Sequence, residues 1–442
     1  MTSNAGLRAR LRFFLNRVQE RLWVRPLLYC LLSVAAAFFA GLADRLAERF
    51  DLLHVLPQIS IESVRMLLSI IAASMLGMAV FAVGSMVAAF QAAGTSATPR
   101  AFALVIADDV SQTALSTFIG AFIFSVVGIS ALSNGYYGAS GHLVLFAMTL
   151  GVLLLVILRF LQWVDRIARL GRIGETIEKV EAATARALRE LRLHPRMGGT
   201  AATDDGGLPL ESSRVGYLQR IDMAALQAIA EKESLQLDVG LLPGSLVGPG
   251  RCLAKIRGAA APLEDSLRLR IERSFVIGSK RTFDEDPRFG FVVLSQIASR
   301  ALSPAVNDPG TAIDILTTHL RLFTAWAQAA PEAAAAAPAY DRIGVPALSV
   351  DDLLDDAFNA IARDGAALVE VAVRLQRVLQ GLASLPDPAL AQAAARHACH
   401  ALVHAERALL HPAEQQQLRA AGAWVGQAIA AGRTDRPSHA SA

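Results

Sequence analysis

Residues 66–90 read MLLSIIAASMLGMAVFAVGSMVAAF, 25 positions without a Lys, Arg, Asp or Glu. At a rise of about 1.5 Å per residue, a helix of this length crosses the ~30 Å hydrocarbon core of a bilayer. A buried helix of a water-soluble protein rarely stays apolar on every face for so long. Three further stretches share the property, at 26–43, 112–132 and 142–162. Their one Lys, Arg, Asp or Glu is Arg159, near the end of the last stretch, where its stem can carry the guanidinium to the interface. All four lie within a transmembrane domain at 26–165, and none follows. The fold class is therefore mainly α, an N-terminal four-helix transmembrane domain with a C-terminal cytoplasmic part that is first α+β and then all-α.

Arginine placement sets the expected orientation. Arg8, Arg10, Arg12, Arg17, Arg21 and Arg25 precede the first span against one acid, Glu20, which puts that end in the cytoplasm. The 44–65 loop mixes both signs and SNGYYGASG at 133–141 is uncharged, as suits the other side. Arg166, Arg169 and Arg172 then follow the last span. Multi-pass insertion in a bacterial inner membrane with both termini cytoplasmic is expected. A cleaved signal peptide competes for the start, but its basic region would be unusually long and Phe39 to Ala43 offers no persuasive cleavage site. Within the basic segment 1–25, residues 7–24 place Leu7, Leu11, Phe14, Leu15, Val18 and Leu22 on one side and most arginines on the other. That pattern predicts an interfacial helix on anionic lipid.

Hydrophobic residues make up 53% of the 442 positions and the mean hydropathy is +0.41, high for a soluble protein and low for an all-membrane one. The net charge of +3 is small. Outside the membrane flanks no Lys/Arg cluster with aromatic neighbours forms a phosphate-binding patch, so nucleic acid is not an expected partner. Cys30, Cys252 and Cys399 are too scattered for a disulfide framework or a metal motif.

Within the spans, Ala73, Gly77, Gly84 and Ala88 form a small-residue stripe, and Ala147 and Gly151 repeat the spacing in the fourth. Such stripes let backbones approach closely. The connection from Gln91 to Gln112 is more polar: Pro99 breaks any helix, and Ala101 to Ile106 is apolar but too short to span. Gln91, Arg100, Asp108, Asp109 and Gln112 thus bracket a re-entrant or interfacial helix at the cytoplasmic edge, followed by Thr113, Ser116 and Thr117. These are the pore or gate candidates, because ionisable groups at membrane depth usually face water or a pathway. The competing reading is an ordinary loop, with Arg100 paired to Asp108 or Asp109 and the hydroxyls bonding their own backbone.

An exit helix at 173–193 and a flexible break at 197–207 make up most of the 166–212 connector. A small α+β module is expected over 213–260, with strands near Tyr217, at 235–239 and at 252–256, and a helix capped by Asp222. A helical domain occupies 261–431, and the tail 432–442 is expected to be disordered. Two of its helices open with Asp-Pro, at 286–287 and 308–309; aspartate caps free amides and proline fits the first helical position. An Ala/Pro-rich segment at 329–346 precedes the final helices.

VAAFQAAGTSATPRAFALVIADDVSQTALSTFIGAF at 87–122 and RTFDEDPRFGFVVLSQIASRALSPAVNDPGTA at 281–312 resemble a large bacterial family of predicted inner-membrane proteins to which no activity is assigned. The resemblance implies several N-terminal spans plus a cytoplasmic domain, and it supplies no catalytic residues. Its pattern falls on Gln91, Pro99, Arg100, Asp109 and Gln112, and on Arg281, Thr282, Asp286, Pro287, Arg300, Ser303, Pro304, Asn307, Asp308 and Pro309. Ala97-Thr98 departs from it where the family tends to have a larger aromatic.

Arg300, Ser303, Asn307 and Asp308 are the cytoplasmic motif candidates. Free amides at the Pro309 helix start, with Arg300, could form an anion or ligand pocket, but Asp308 at that start opposes an anion unless it points away. No Walker A loop, HExxH or nucleophile elbow is present in the sequence, so no enzyme, cofactor or metal is assigned. His397, His400 and His404 share one helical face with no obvious fourth ligand. The leading functional reading is a homo-oligomer in the lipid bilayer that conducts or transports a small ion, gated by its cytoplasmic domain. The alternative is a membrane-anchored sensor or scaffold for a protein partner. On this topology a reporter fused after Arg172 or at the C-terminus should behave as cytoplasmic and one inserted at Gly138 should not; a cytoplasmic Gly138 reporter would overturn it.

Overall fold

The computed structural model describes residues 23–50, 60–96, 98–101, 104, 109–167, 172–203, 206–328 and 337–426. The expected interfacial helix lies outside these except for its last two residues, and so do most of the re-entrant run and the tail. The chain forms two compact units, Met1–Thr176 and Ile177–Ala442.

The first unit is four helices: α1 (Val24–Phe50), α2 (Ile61–Ser96), α3 (Asp109–Ser133) and α4 (Ala139–Ile167). Each contains a stretch long and apolar enough to span a membrane. The helices outrun the apolar stretches because nothing in the polar flanks stops backbone pairing. In particular α2 continues past Gln91 to Ser96, so the connection expected to begin at Gln91 begins only after that helix ends.

The central helix is α3, which packs on each of the other three. Gly120 lets it close on α1, since a Cβ there would sit 3.2 Å from both Ser33 Oγ and Tyr29 Cβ. One core cluster joins Ile71, Met75, Phe118 and Trp163; the other joins Leu68, Phe124, Leu145 and Tyr137. The Tyr137 hydroxyl donates to the Ala37 carbonyl (2.9 Å), tying the short α3–α4 loop to α1. Large exposed side chains such as Ile70, Val80 and Phe81 on α2 and Leu154 and Leu158 on α4 cover the outside, as a lipid-facing surface requires.

The second unit starts with α5 (Ile173–Leu193), whose first turn still belongs to the first unit. Short strands follow: β1 (Gly199–Ala201), β2 (Leu208–Glu211), β3 (Gly216–Ile221), β4 (Gln236–Val239), β5 (Leu246–Val247), β6 (Cys252–Arg257) and β7 (Phe275–Gly278). Between them lie α6 (Met223–Lys232), capped by Asp222, and α7 (Asp265–Glu272). Then come α8 (Pro287–Ala301), α9 (Pro309–Gln328), β8 (Tyr340–Val345), α10 (Val350–Asp364), α11 (Val369–Ala383), α12 (Pro388–Ala408) and α13 (Pro412–Gly422).

The strands form a five-stranded sheet, β1-β8-β4-β6-β2, and a three-stranded one, β5-β3-β7. Leu218, Leu226, Leu237, Leu253, Phe275 and Ile343 are at the centre of their shared core. Two expectations are corrected here. The break at 197–207 contains β1, and the Ala/Pro segment at 329–346 ends in β8, which pairs parallel with both β1 and β4. The α+β region therefore does not close at 260; it takes β7 and β8 from inside the expected helical domain. In that domain Phe291, Phe323 and Phe358 stack around His319, with ring centroids 4.7 to 6.0 Å apart.

Candidate functional site

The 281–312 motif is built around one carboxylate. Asp286 accepts the Phe289 N–H at 3.0 Å and so caps α8, with Pro287 at its first position. The same carboxylate takes Nε (2.7 Å) and Nη2 (2.9 Å) of Arg281 in a bidentate pair and is only 2% exposed. Gly244, at φ +93, lies against it, and a Cβ there would come within 2.2 Å of Oδ2. Glycine alone fits both the backbone angle and the space. The Arg281 guanidinium also covers the Phe289 ring, 5.1 Å from its centroid. Arg288 then donates to Asp356 and Asp352 of α10, each at 2.6 Å.

Beside this hub lies α5, the helix that follows the fourth span. Val180, Ala183, Thr184, Ala187 and Leu188 are buried. Gly290 of α8 packs directly on it, for a Cβ there would sit 1.8 Å from Thr184 Oγ1. From α9, Arg321 holds Glu181 by two bonds of 2.7 and 2.6 Å, and the Trp326 ring lies 4.7 Å from the Arg192 guanidinium carbon. At its other end, within the first unit, Glu175 pairs at 3.0 Å with Arg166 near the end of α4. The exit helix is gripped along its length.

Arg300, Ser303, Asn307 and Asp308 are brought together in the α8–α9 loop, as turn-builders. Ser303 Oγ donates to the Arg300 carbonyl (2.7 Å) and Asn307 N–H to the Ser303 carbonyl (2.8 Å), with Asn307 at φ +49. Asp308 accepts from the Thr311 N–H (3.1 Å) and hydroxyl (2.5 Å), and these bonds hold its carboxyl below the ordinary range. Its side chain points at the helix start, so the anion pocket proposed for those amides is already filled by the protein's own carboxylate.

Of the five membrane candidates, the structure describes the side chains of Gln91, Arg100 and Gln112. Gln112 is buried in α3, whereas Gln91 and Arg100 are exposed; the Arg100 N–H donates to the Thr98 hydroxyl at 3.2 Å. Asp108 and the side chain of Asp109 lie outside the described residues. Ser116 and Thr117 are buried inside the bundle and return their hydroxyls to the Gln112 and Thr113 carbonyls, at 2.7 and 2.8 Å.

The acidic run Asp284, Glu285 and Asp286 reads in the sequence as a solvated turn leading to a helix cap, with a divalent-ion site as the alternative, but Glu285 is partly buried, and His319 escaped the sequence reading. Glu285 sits 3.3 Å from Arg220; burial, opposed by Arg220 and the Ile221 N–H and aided by Asp284 and Glu190, pushes its carboxyl up to about 7. Neither its partner on β3 nor Glu190 on α5 is near it in sequence. His319 is wholly enclosed, and burial pushes its imidazole down to about 3, against the one hydrogen bond its ring donates to the Ala357 backbone. Ser295 Oγ lies 3.5 Å from its Nε2, and its single hydroxyl proton is shared between the Asp356 and Ala357 carbonyls, each 2.7 Å away.

The family model described as "Predicted membrane protein (DUF2254)" matches residues 19–381. The chain belongs to this family. The match takes in both stretches that carried the resemblance, the four apolar helices and the second unit as far as α11 in the DUF2254 fold. Uncharacterized proteins Rv1290c of Mycobacterium tuberculosis and Mb1321c of Mycobacterium bovis are each 37% identical over 113 residues, 25% of this chain and 22% of theirs. The chain thus aligns with well under two thirds of those relatives. No solved structure matches it.

Two outcomes follow from the geometry. Gly290→Val gains only about 0.3 kcal/mol of helix propensity, because valine is β-branched, but forces an overlap worth about 1–3 kcal/mol. Its unfolding midpoint in detergent should therefore drop, and protease should cut sooner within 177–193; an unchanged midpoint would show that α5 is not tightly docked. Glu285 is raised above its ordinary 4.5 to about 7 in the fold, so the folded chain holds an extra proton between those values and stability falls as pH rises through that window. Glu285→Gln should match wild type below pH 4.5 and exceed it above neutrality, on the order of 2 kcal/mol. Identical stability profiles would remove Glu285 from the buried set.

Proposed function

We propose that this membrane protein assembles with copies of itself through α2 and that the assembly moves a small ion along a path between subunits. The observation that carries the reading is the placement of the small-residue stripe. Ala73, Gly77, Gly84 and Ala88 all lie on the exposed face of α2, and no atom lies within 4 Å of a Cβ built on Gly77 or Gly84. Within the chain the stripe is therefore unused, although it is the kind of surface that lets a second helix come close. Gln91 is exposed and one turn beyond Ala88, so assembly through this face gathers a ring of amides from several subunits.

The interior of one chain supports the same choice. Phe118 and Trp163 fill its middle, and the Ser116 and Thr117 hydroxyls are bonded to their own helix. A route between chains, with Arg100, Asp108 and Asp109 at its mouth, leaves that packing undisturbed. In this reading the C-terminal half is cytoplasmic and gates the path through α5, because α5 is held by α8 and α9 at one end and by Arg166 at the other. A membrane-anchored sensor or scaffold for a protein partner is the second reading, favoured by a cavity between α10 and α12 that His397, His400 and His404 help to line.

Gly84→Leu tests the proposal cleanly, since the new side chain meets nothing in its own chain. The variant should fold but show a smaller particle mass in detergent and lose the ion flux that wild type gives in liposomes. A wild type that is monomeric and passes no ion would overturn the ion-path reading.

A further inference from the structure

A cavity of about 340 Å³ opens between α10, α11 and α12, within the size range of pockets for small organic ligands. Two helical rows form its polar wall. Asn359 and Arg363 come from α10, and His397, His400 and His404 face them from α12. The floor is apolar, made chiefly by Phe358, Leu375 and Leu379.

The wall is held in place. His397 is 8% exposed, with Nε2 3.3 Å from Asp355 Oδ1, and the same oxygen accepts from Asn359 Nδ2 at 2.9 Å. One carboxylate, just outside the cavity, thus orients both an imidazole and an amide. The rings of His397 and His400 stand 6.4 Å apart at 65°. Arg396, the residue before His397, pairs with Asp351, one turn before Asp355, and Arg363 shares the cavity lining with His400 and His404. Arg363 is bound to Asp364 through Nε and Nη2, at 2.7 and 3.1 Å, which leaves Nη1 for a ligand.

The lining is rich in donors and contains no carboxylate. Guanidinium, amide and imidazole over an apolar floor complement an anion with an apolar body. Among the described residues no three His, Cys, Asp or Glu converge as metal ligands would, which separates this site from a metal centre. We propose that the cavity binds a small organic anion, its carboxylate or phosphate held by Arg363, His400 and His404 and its apolar body laid on Phe358, Leu375 and Leu379. The site lies wholly within the second unit, so it stands or falls independently of ion flux.

Calorimetric titration of the full chain in detergent with phenyl phosphate, benzoate and phenol tests this. One of the two anions, or both, should bind saturably at one site per chain in the millimolar range or tighter, and phenol should not. Binding of phenyl phosphate alone would identify phosphates as the class, and of benzoate alone carboxylates. His400→Gln and His404→Gln alter exposed side chains, so the fold should persist, as an unchanged unfolding midpoint would verify. Each of these, and Arg363→Gln, should weaken binding roughly tenfold or more, the loss expected for a charge-assisted hydrogen bond. Absence of saturable binding by either anion, or equal affinity in all three variants, would overturn the proposal. So would stoichiometric Zn²⁺ binding by wild type that His400→Gln abolishes, which would make the site a metal centre.

Discussion

A carboxylate almost sealed from water is tolerable only when its charge is matched, and the second unit is organised around one that is. Burying an unpaired charge costs several kcal/mol, and breaking a buried pair typically about 3–5 kcal/mol. Asp286 meets that constraint with both nitrogens of the Arg281 fork and the Phe289 amide. Because the carboxylate cannot move, the start of α8 cannot move either. The register of α8 then sets where Gly290 meets α5 and where Arg288 reaches α10. The histidine-lined wall is one step further along, since α12 packs on α10. A single ion pair thus fixes the geometry from the exit helix to the cavity.

The first unit obeys a different constraint. In lipid a backbone polar group without a partner has no water to turn to, so backbones stay helical, and a serine or threonine hydroxyl can bond the carbonyl one turn back in its own helix. That accounts for Ser116 and Thr117 inside the bundle. It also separates the glycines by role: Gly120 is used within the chain against Tyr29 and Ser33, whereas Gly77 and Gly84 face outward into open space.

Much of this was legible in the sequence where one residue or one period carries the signal. Apolar length marked the four spans, and Asp-Pro marked the starts of α8 and α9, because a cap is a local device. Alternation marked strands at 235–239 and 252–256, which the structure has at 236–239 and 252–257. What stayed hidden depends on partners distant in sequence. β1 and β2 are too short to show a period, and β8 follows a low-complexity stretch, yet all three pair in one sheet. The spacing of His397, His400 and His404 was visible, but not that Asp355, Asn359 and Arg363 of another helix stand opposite. Glu285 is raised by burial under groups from β3 and α5, which no local pattern announces. The Arg300–Asp308 loop was legible as a capped turn, and its residues are occupied in being one.

The position of β8 sets a timetable. It lies between β1 and β4 in the larger sheet, and β1 has no other neighbour there. On a ribosome β1 emerges well over a hundred residues before β8, an interval on the order of ten seconds at ordinary elongation rates. Until then the edge of β4 that β8 will occupy has no strand beside it, and an open edge is a template for wrong pairing. The four apolar helices are synthesised before any of this. The second unit therefore completes itself late, while already tethered by α5 to the four apolar helices that precede it.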